Sequence, residues 1–360
     1  MKYNTSLITG ALLIAAAAGA NAQTTATTDP VGYITCKVAA GNSLSFLSPT
    51  LVNKLEFSGV AASATATTVT LTGTPLTPPT YDAAVNPAFD AAVPMPGYYL
   101  EVSSGSGEGQ WANITSTTNS VVTVDRNLST FITGGTTTVR IRKHSTIGEV
   151  FGATNSAGLA GSDQSATADE IKLLKPVTHA VKSYYYFNDG AGFTQWADLD
   201  GNDAINVIIF PDQGIVLQRK TGAALSFVRV GHVKTGKTAL YATPGINVMA
   251  TPRAVGDGGA PANNFNLGNS NLANTGALST HVKGSDQSAT ADVLRIPQAS
   301  PNVLKEFYFF DDGAGFTQWA DLDGIEATTE LLNEGEAFIL IRQAGAGALT
   351  WTAPAQIIAP

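Results

Sequence analysis

Asp189–Gly201 reads DGAGFTQWADLDG, and Asp312–Gly324 repeats those thirteen residues unchanged, 123 positions further on. Gly161–Ala168 (GSDQSATA) returns as Gly284–Ala291 at the same offset. A match of this length points to tandem duplication of one supersecondary unit. Inside each copy, an aromatic strand (Lys182–Phe187; Lys305–Phe310) leads through a glycine-containing loop to a second strand (Phe193–Ala197; Phe316–Ala320). In the first copy that loop is Asn188 to Gly192, whose glycines accept positive φ, so the segment reads as a hairpin.

Short strands precede the hairpins at Ile171–Leu174 and Val293–Ile296. A second hairpin per unit is expected from Ile215–Lys220 with Leu225–Val230, and from Ala337–Arg342 with Leu349–Thr352. Val31–Pro49 and Val230–Pro252 share a looser phrase, opening Val-Gly and closing on proline, which extends the repeat upstream. The expected architecture is all-β: two related antiparallel domains, sandwich or barrel-like, with unit A at 31–229 and unit B at 230–360. Unit A is longer, and residues 59–143 read as an inserted β-meander. Its four strands lie near Tyr98–Val102, Trp111–Thr115, Val121–Asp125 and Thr136–Arg142.

The first 22 residues read as an export signal. Lys2 supplies a positive start, Leu7–Gly19 is an apolar run short for a bilayer span, and Ala20-Asn21-Ala22 fits a small-x-small cleavage site. Residues 23–30 follow as a polar leader, and no later stretch of the mature chain is apolar enough to cross a membrane. The expected location is outside the cytoplasm: extracellular, on the cell surface or in the periplasm. A net charge of −8 disfavours nucleic acid as a partner, and only 13% of residues are charged. The single cysteine, Cys36, has no internal disulfide partner and reads as a small buried hydrophobe, with an intermolecular crosslink as the alternative.

Two features of the repeat invite chemistry. Asp198, Asp200 and Asp203, with Asp321 and Asp323 in the second copy, alternate like the opening of a calcium loop. Ile209 stands where a bidentate glutamate belongs, so a solvated turn is expected, with calcium the alternative and no other cofactor. Trp196, Trp319, Phe193 and Phe316 form either core or an aromatic face for a sugar. The four histidines have no ligand spacing, and Gly105–Gly109 is a hairpin loop instead of a phosphate cradle.

Asp29-Pro30-Val31-Gly32-Tyr33, the phrase Gly148…Asn155…Gly158-Leu159…Ala168-Asp169 and the tyrosine-rich strand leading to Trp196 resemble a large paralogous family of exported proteins from verrucomicrobial bacteria. The resemblance covers most of the mature chain. It implies an exported β-rich protein of unknown function and carries no catalytic residue. The functional expectation is a non-catalytic structural or interaction protein of the cell surface or matrix, partnered by itself or by a surface polymer. A carbohydrate-binding module and an enzyme on extracellular polymer are the alternatives.

Overall fold

The computed structural model describes residues 30–48, 50–74, 76, 97–175, 178–234, 236–252, 265–273, 277–298 and 303–354. The expected export signal and all of the leader but Pro30 lie outside the described residues. The chain is nearly all β, in several antiparallel sheets and one closed barrel.

One five-stranded sheet runs Thr194–Asp198, Val181–Asn188, Glu170–Leu174, Ile215–Arg219, Ser43–Leu47 from edge to edge. Another runs Thr317–Asp321, Leu304–Asp311, Val293–Pro297, Ala337–Arg342, Gly245–Ala250. Their registers correspond: Tyr184 opposes Asp198 and Asn188 opposes Thr194, while Phe307 opposes Asp321 and Asp311 opposes Thr317. Each pair in the second is the first advanced by 123 positions. The tight hairpin explains this persistence, because loop length and turn geometry set register. In the loop, Asp189 Oδ1 accepts the N–H groups of Ala191 (2.8 Å) and Phe193 (3.0 Å). Gly190 (φ 71°) and Gly192 (φ 113°) have open space around them, so backbone conformation rather than crowding demands glycine.

Period-two alternation divides the aromatic strand between two environments. Tyr184 and Tyr186 point into the first core, with Trp196, Phe151 and Leu217. Tyr185 and Phe187 lie on the other face with Ala168 and Ala197. The first core is completed by a second layer, the antiparallel pair Val31–Val38 and Leu225–His232. In the second core that layer is Thr238–Ala242 paired with Leu349–Ala353. The expected second hairpins therefore do not form. Ile215–Arg219 and Leu225–His232 enter different sheets, as do Ala337–Arg342 and Leu349–Ala353. Strand periodicity reports which residues are extended but not which partner they take.

The proposed boundary at Arg229/Val230 cuts through a strand. Val230, Gly231 and His232 pair back onto Tyr33, Gly32 and Val31, so two of the phrases that looked like copies are antiparallel partners. The insertion also differs. Leu55–Ala64 and Thr68–Leu71 join Tyr98–Val102, Trp111–Thr117, Val121–Val124 and Thr138–Lys143 to close a barrel of six strands, where a meander of four forming a small sheet or half-barrel and beginning at residue 59 was expected. The ten-residue strand Leu55–Ala64 makes closure possible by pairing with both Thr138–Lys143 and Thr68–Leu71. Register shifts at Leu55/Phe57 and Ala61/Ser63 supply local bending. Ala61, Val69, Leu100, Ile114, Val139 and Ile141 fill its interior.

The three bodies pack closely. Phe46 and Val216 of the first five-stranded sheet meet Val248 and Ala337 of the second. There, a Cβ on Gly214 would lie 2.5 Å from Ala337 Cβ, which makes this an obligatory close approach. Trp111 and Tyr99 from the barrel join the first core.

Cys36 is buried in that core, which bears out its reading as a small hydrophobe. Burial pushes its thiol up to about 11, with Arg229 opposing the shift. At about pH 8 the folded chain is expected to resist a water-soluble thiol reagent, since the thiolate is the nucleophile, and to react fully after denaturation. Rapid labelling of the native protein would contradict this burial.

Candidate functional site

The residues singled out in the repeated hairpin do not form one site. Trp196 is 1% exposed and Trp319 3%, so neither indole offers a face to a sugar. Trp196 Nε1 donates to Gly152 O (2.8 Å), and its ring meets Tyr186 edge-on at 5.1 Å. Trp319 meets Phe309 in the same way at 5.6 Å. The aromatic-face reading of the tryptophans is thereby corrected: each is a core side chain. Phe193 and Phe316 differ, both being 55% exposed, and each sits edge-on against the preceding strand's phenylalanine, Phe187 or Phe310, at 5.9 Å.

The carboxylates of Asp198, Asp203 and Asp321 are consumed by turns. Asp198 Oδ1 accepts from Asp200 N (2.9 Å) and Asn202 N (2.8 Å), and its Oδ2 from Asn202 Nδ2 (3.0 Å). Asp203 Oδ1 accepts from Ile205 N. In the second copy Asp321 Oδ1 accepts from Ile325 N (2.9 Å) and Asp323 N (3.1 Å), with Lys305 Nζ 3.5 Å from Oδ2. The Ile325 N–H bond, followed by those of Asp323 and Lys305, holds the Asp321 carboxyl below its ordinary range against the effect of burial. Among the described residues, no three His, Cys, Asp or Glu side chains converge as a metal site. The geometry is that of Asx turns, in which a short carboxylate replaces a backbone acceptor.

A different set of residues meets in a cleft of about 290 Å³ where the barrel and both sandwiches converge. The barrel contributes Trp111, at the start of its strand, and Asp125 and Arg126 just after Val121–Val124. The first sandwich brings His179, Phe210, Asp212 and Gln213 from turns flanking its strands, and the second brings Tyr241 from strand Thr238–Ala242 and Asn247 and Val248 from strand Gly245–Ala250. Trp111 stacks on Phe210 (6.0 Å, 26°) and meets Tyr241 edge-on (5.5 Å, 68°). Trp111 Nε1 donates to Ala239 O (3.1 Å), which ties barrel to sandwich.

Arg126 lies flat in this wall. Its guanidinium carbon is 3.4 Å from the Tyr241 ring centre and 4.9 Å from that of Trp111, and Nη1 donates to Trp111 O (3.1 Å). A guanidinium held this way has little freedom left for binding to remove. Asp212 Oδ2 accepts from Tyr241 N (3.2 Å). Burial pushes the Asp212 carboxyl up to about 6, opposed by Arg126 and by backbone hydrogen bonds, and also raises the Tyr241 phenol.

Asp125, the other carboxylate lining the cleft, commits both oxygens to Asn113, at 2.9 and 2.7 Å. His179 Nε2 bonds Thr243 Oγ1 (2.9 Å). Under the cleft, His144 is wholly enclosed by Tyr99, Trp111 and Phe210, and its Nε2 donates to Asn113 Oδ1 (2.8 Å). Burial lowers its pKa to about 3. The arrangement suits binding: a carboxylate and an oriented guanidinium line the same cleft, together with aromatic rings.

Sequence reading assigned no binding role to any residue of this cleft, and considered His179 only to note that the histidines have no ligand spacing. The cleft residues' numbers, 111 to 249, follow no spacing, and the available signal was charge: Arg126 and Asp212 stand out in a chain with few charged residues. No known protein family, no curated protein and no solved structure matches the chain.

Proposed function

We propose that the chain is an exported, non-catalytic structural or interaction protein of the cell surface or extracellular matrix, which associates with further copies of itself. The observation that supports this reading is the outer face of the strand pair Val31–Val38/Leu225–His232. Val31, Tyr33, Val228 and Val230 all project there and are 59–73% exposed. Contiguous exposed apolar side chains of this size commonly mark an interaction surface.

The second sandwich provides the comparison. Its strand pair closes on the buried couple Ala242/Leu349, as the first closes on Val38/Leu225, so Ala239 and Thr352 stand where Thr35 and Val228 stand in the first. There the barrel covers the face. Ala239 N donates to Gly109 O (3.0 Å), Gln110 reaches Thr352, and Ala239 is wholly buried. The same kind of face is thus covered by this chain in one half and open in the other, and a second copy is its proposed cover.

Two eight-residue strands, rising about 3.3 Å per residue and about 4.8 Å apart, present only a few hundred Å². That is well below the roughly 1,200 Å² of a stable interface, so association should depend on concentration. Sedimentation velocity of residues 23–360 across a concentration series is expected to show growing species. Tyr33→Lys combined with Val230→Lys should restore the monomer without lowering the melting temperature. A wild-type chain that stays monomeric throughout would overturn the reading.

A further inference from the structure

We infer that the cleft between the barrel and the two sandwiches binds a small zwitterion of the free amino-acid class, its carboxylate on Arg126 and its ammonium on Asp212. The site is separate from the apolar strand pair, so it neither requires nor tests self-association.

Three observations carry the inference. Arg126 is pre-oriented: Tyr241 and Trp111 hold its plane, one N–H is committed to Trp111 O, its side chain also hydrogen-bonds the Tyr241 phenol, and the remaining donors of its fork are left for an acceptor. A planar guanidinium so fixed matches a carboxylate bidentately. Asp212 lines the same cleft close enough for its charge to interact with Arg126, yet the two form no ion pair among the described residues. Opposite charges that share a cleft without closing on each other leave room for a molecule carrying both complements. Finally, Leu174, Ile246, Val248 and Met249 supply an apolar wall beside the charged pair, and about 290 Å³ suits one amino acid with an apolar side chain rather than a stretch of polymer.

A neutral sugar fits less well. It would take water from a carboxylate and a guanidinium and return only hydroxyl bonds, whereas a zwitterion supplies each with an opposite charge. The charged and titratable groups facing Asp212 are Arg126 and Asp125 from the barrel, Lys175 and His179 from the first sandwich, and Tyr241 from the second. Asp125 is occupied by Asn113, so Asp212 is the carboxylate available to an ammonium.

Isothermal titration calorimetry of residues 23–360 with L-leucine, L-valine and L-phenylalanine tests the assignment, with N-acetyl-L-leucine, L-leucinamide and glucose as controls. At least one of the three amino acids is expected to bind with a dissociation constant below about 1 mM. Removing the ligand's charge by acetylation or amidation should weaken binding by about tenfold or more, as should Asp212→Asn and Arg126→Gln. Asp212→Asn removes a partly desolvated charge and keeps the acceptor for Tyr241 N, so the variant should fold even if Arg126→Gln does not. Binding should also weaken below about pH 6 as Asp212 takes a proton. The inference is overturned if none of the three amino acids binds at about 10 mM, if glucose binds more tightly than they do, or if Asp212→Asn leaves affinity unchanged.

Discussion

Asp292→Ala is expected to cost the fold about 3–5 kcal/mol, the usual penalty for stranding a buried charge. Asp292 and Arg342 are both fully enclosed, with Arg342 Nη1 2.6 Å from Asp292 Oδ2. The carboxylate also accepts Lys283 N (2.8 Å) and Gln343 N (2.7 Å), so its loss orphans two backbone donors as well as the guanidinium. Arg342 additionally donates to the carbonyls of Leu278, Ala346 and Gly347, which makes it the hub joining strand Ala337–Arg342 to the loop carrying GSDQSATAD. Burial lowers the Arg342 pKa and Asp292 opposes that shift, so removing Asp292 leaves the cost of burying the cation unopposed; a guanidinium keeps its proton even so.

The first sandwich repeats the device with Asp169 and Arg219 (2.8 Å), and Asp169 accepts Ala160 N and Lys220 N. Arg219 is slightly exposed and its Nε has no partner, whereas Arg342 Nε donates to Gly347 O. Asp169→Ala should therefore cost less than Asp292→Ala. Urea denaturation of both variants checks the order; equal losses below about 1 kcal/mol would show that these pairs are dispensable.

Asp212→Asn is expected to raise stability at pH 7 by about 3 kcal/mol and to expose a pH dependence that the natural chain conceals. The sign follows from proton counts. His144 has a folded pKa near 3 against about 6.5 unfolded, so between those values only the unfolded chain is protonated there. Acid therefore destabilises the fold through His144 by about 1.4 kcal/mol per unit from pH 6.5 downward. Asp212 acts oppositely: its folded pKa near 6 lies above the unfolded value of about 3.9, so acid stabilises the fold through it over that window.

The two slopes nearly cancel between about pH 4 and pH 6. In Asp212→Asn only the histidine's remains, and the variant's advantage should shrink from about 3 kcal/mol at pH 7 to near zero at about pH 4. Denaturation at several pH values reads this difference directly, and other titrating groups drop out of the comparison. A variant whose advantage is independent of pH would refute the raised carboxyl.

The repeated hairpin was legible because every determinant is local. Period-two alternation, the loop aspartate Asp189 and two glycines at positive φ lie within a dozen residues, and they set strand, turn and register together. The barrel was half legible. Four strands carried clear alternation, but Leu55–Ala64 passes through Ser-Gly into a run of small residues (VAASA) and Thr68–Leu71 is only four residues long, so the strands that close it resembled a loop. Pairing of Leu225–His232 with Val31–Val38 spans nearly the whole first half, and no local pattern names so distant a partner.

By itself, then, the sequence determined an all-β chain with a hairpin written twice and side chains divided between two faces, because backbone extension and turn geometry depend on near neighbours. Only the tertiary structure decided which face became core, and so enclosed Trp196 and Trp319 while leaving Phe193 and Phe316 in solvent. It alone left Thr35 open where its counterpart Ala239 is covered, and brought Arg126 and Asp212 to one cleft. Those outcomes depend on which remote segment packs against a given face, and that choice is made by burial across the whole molecule.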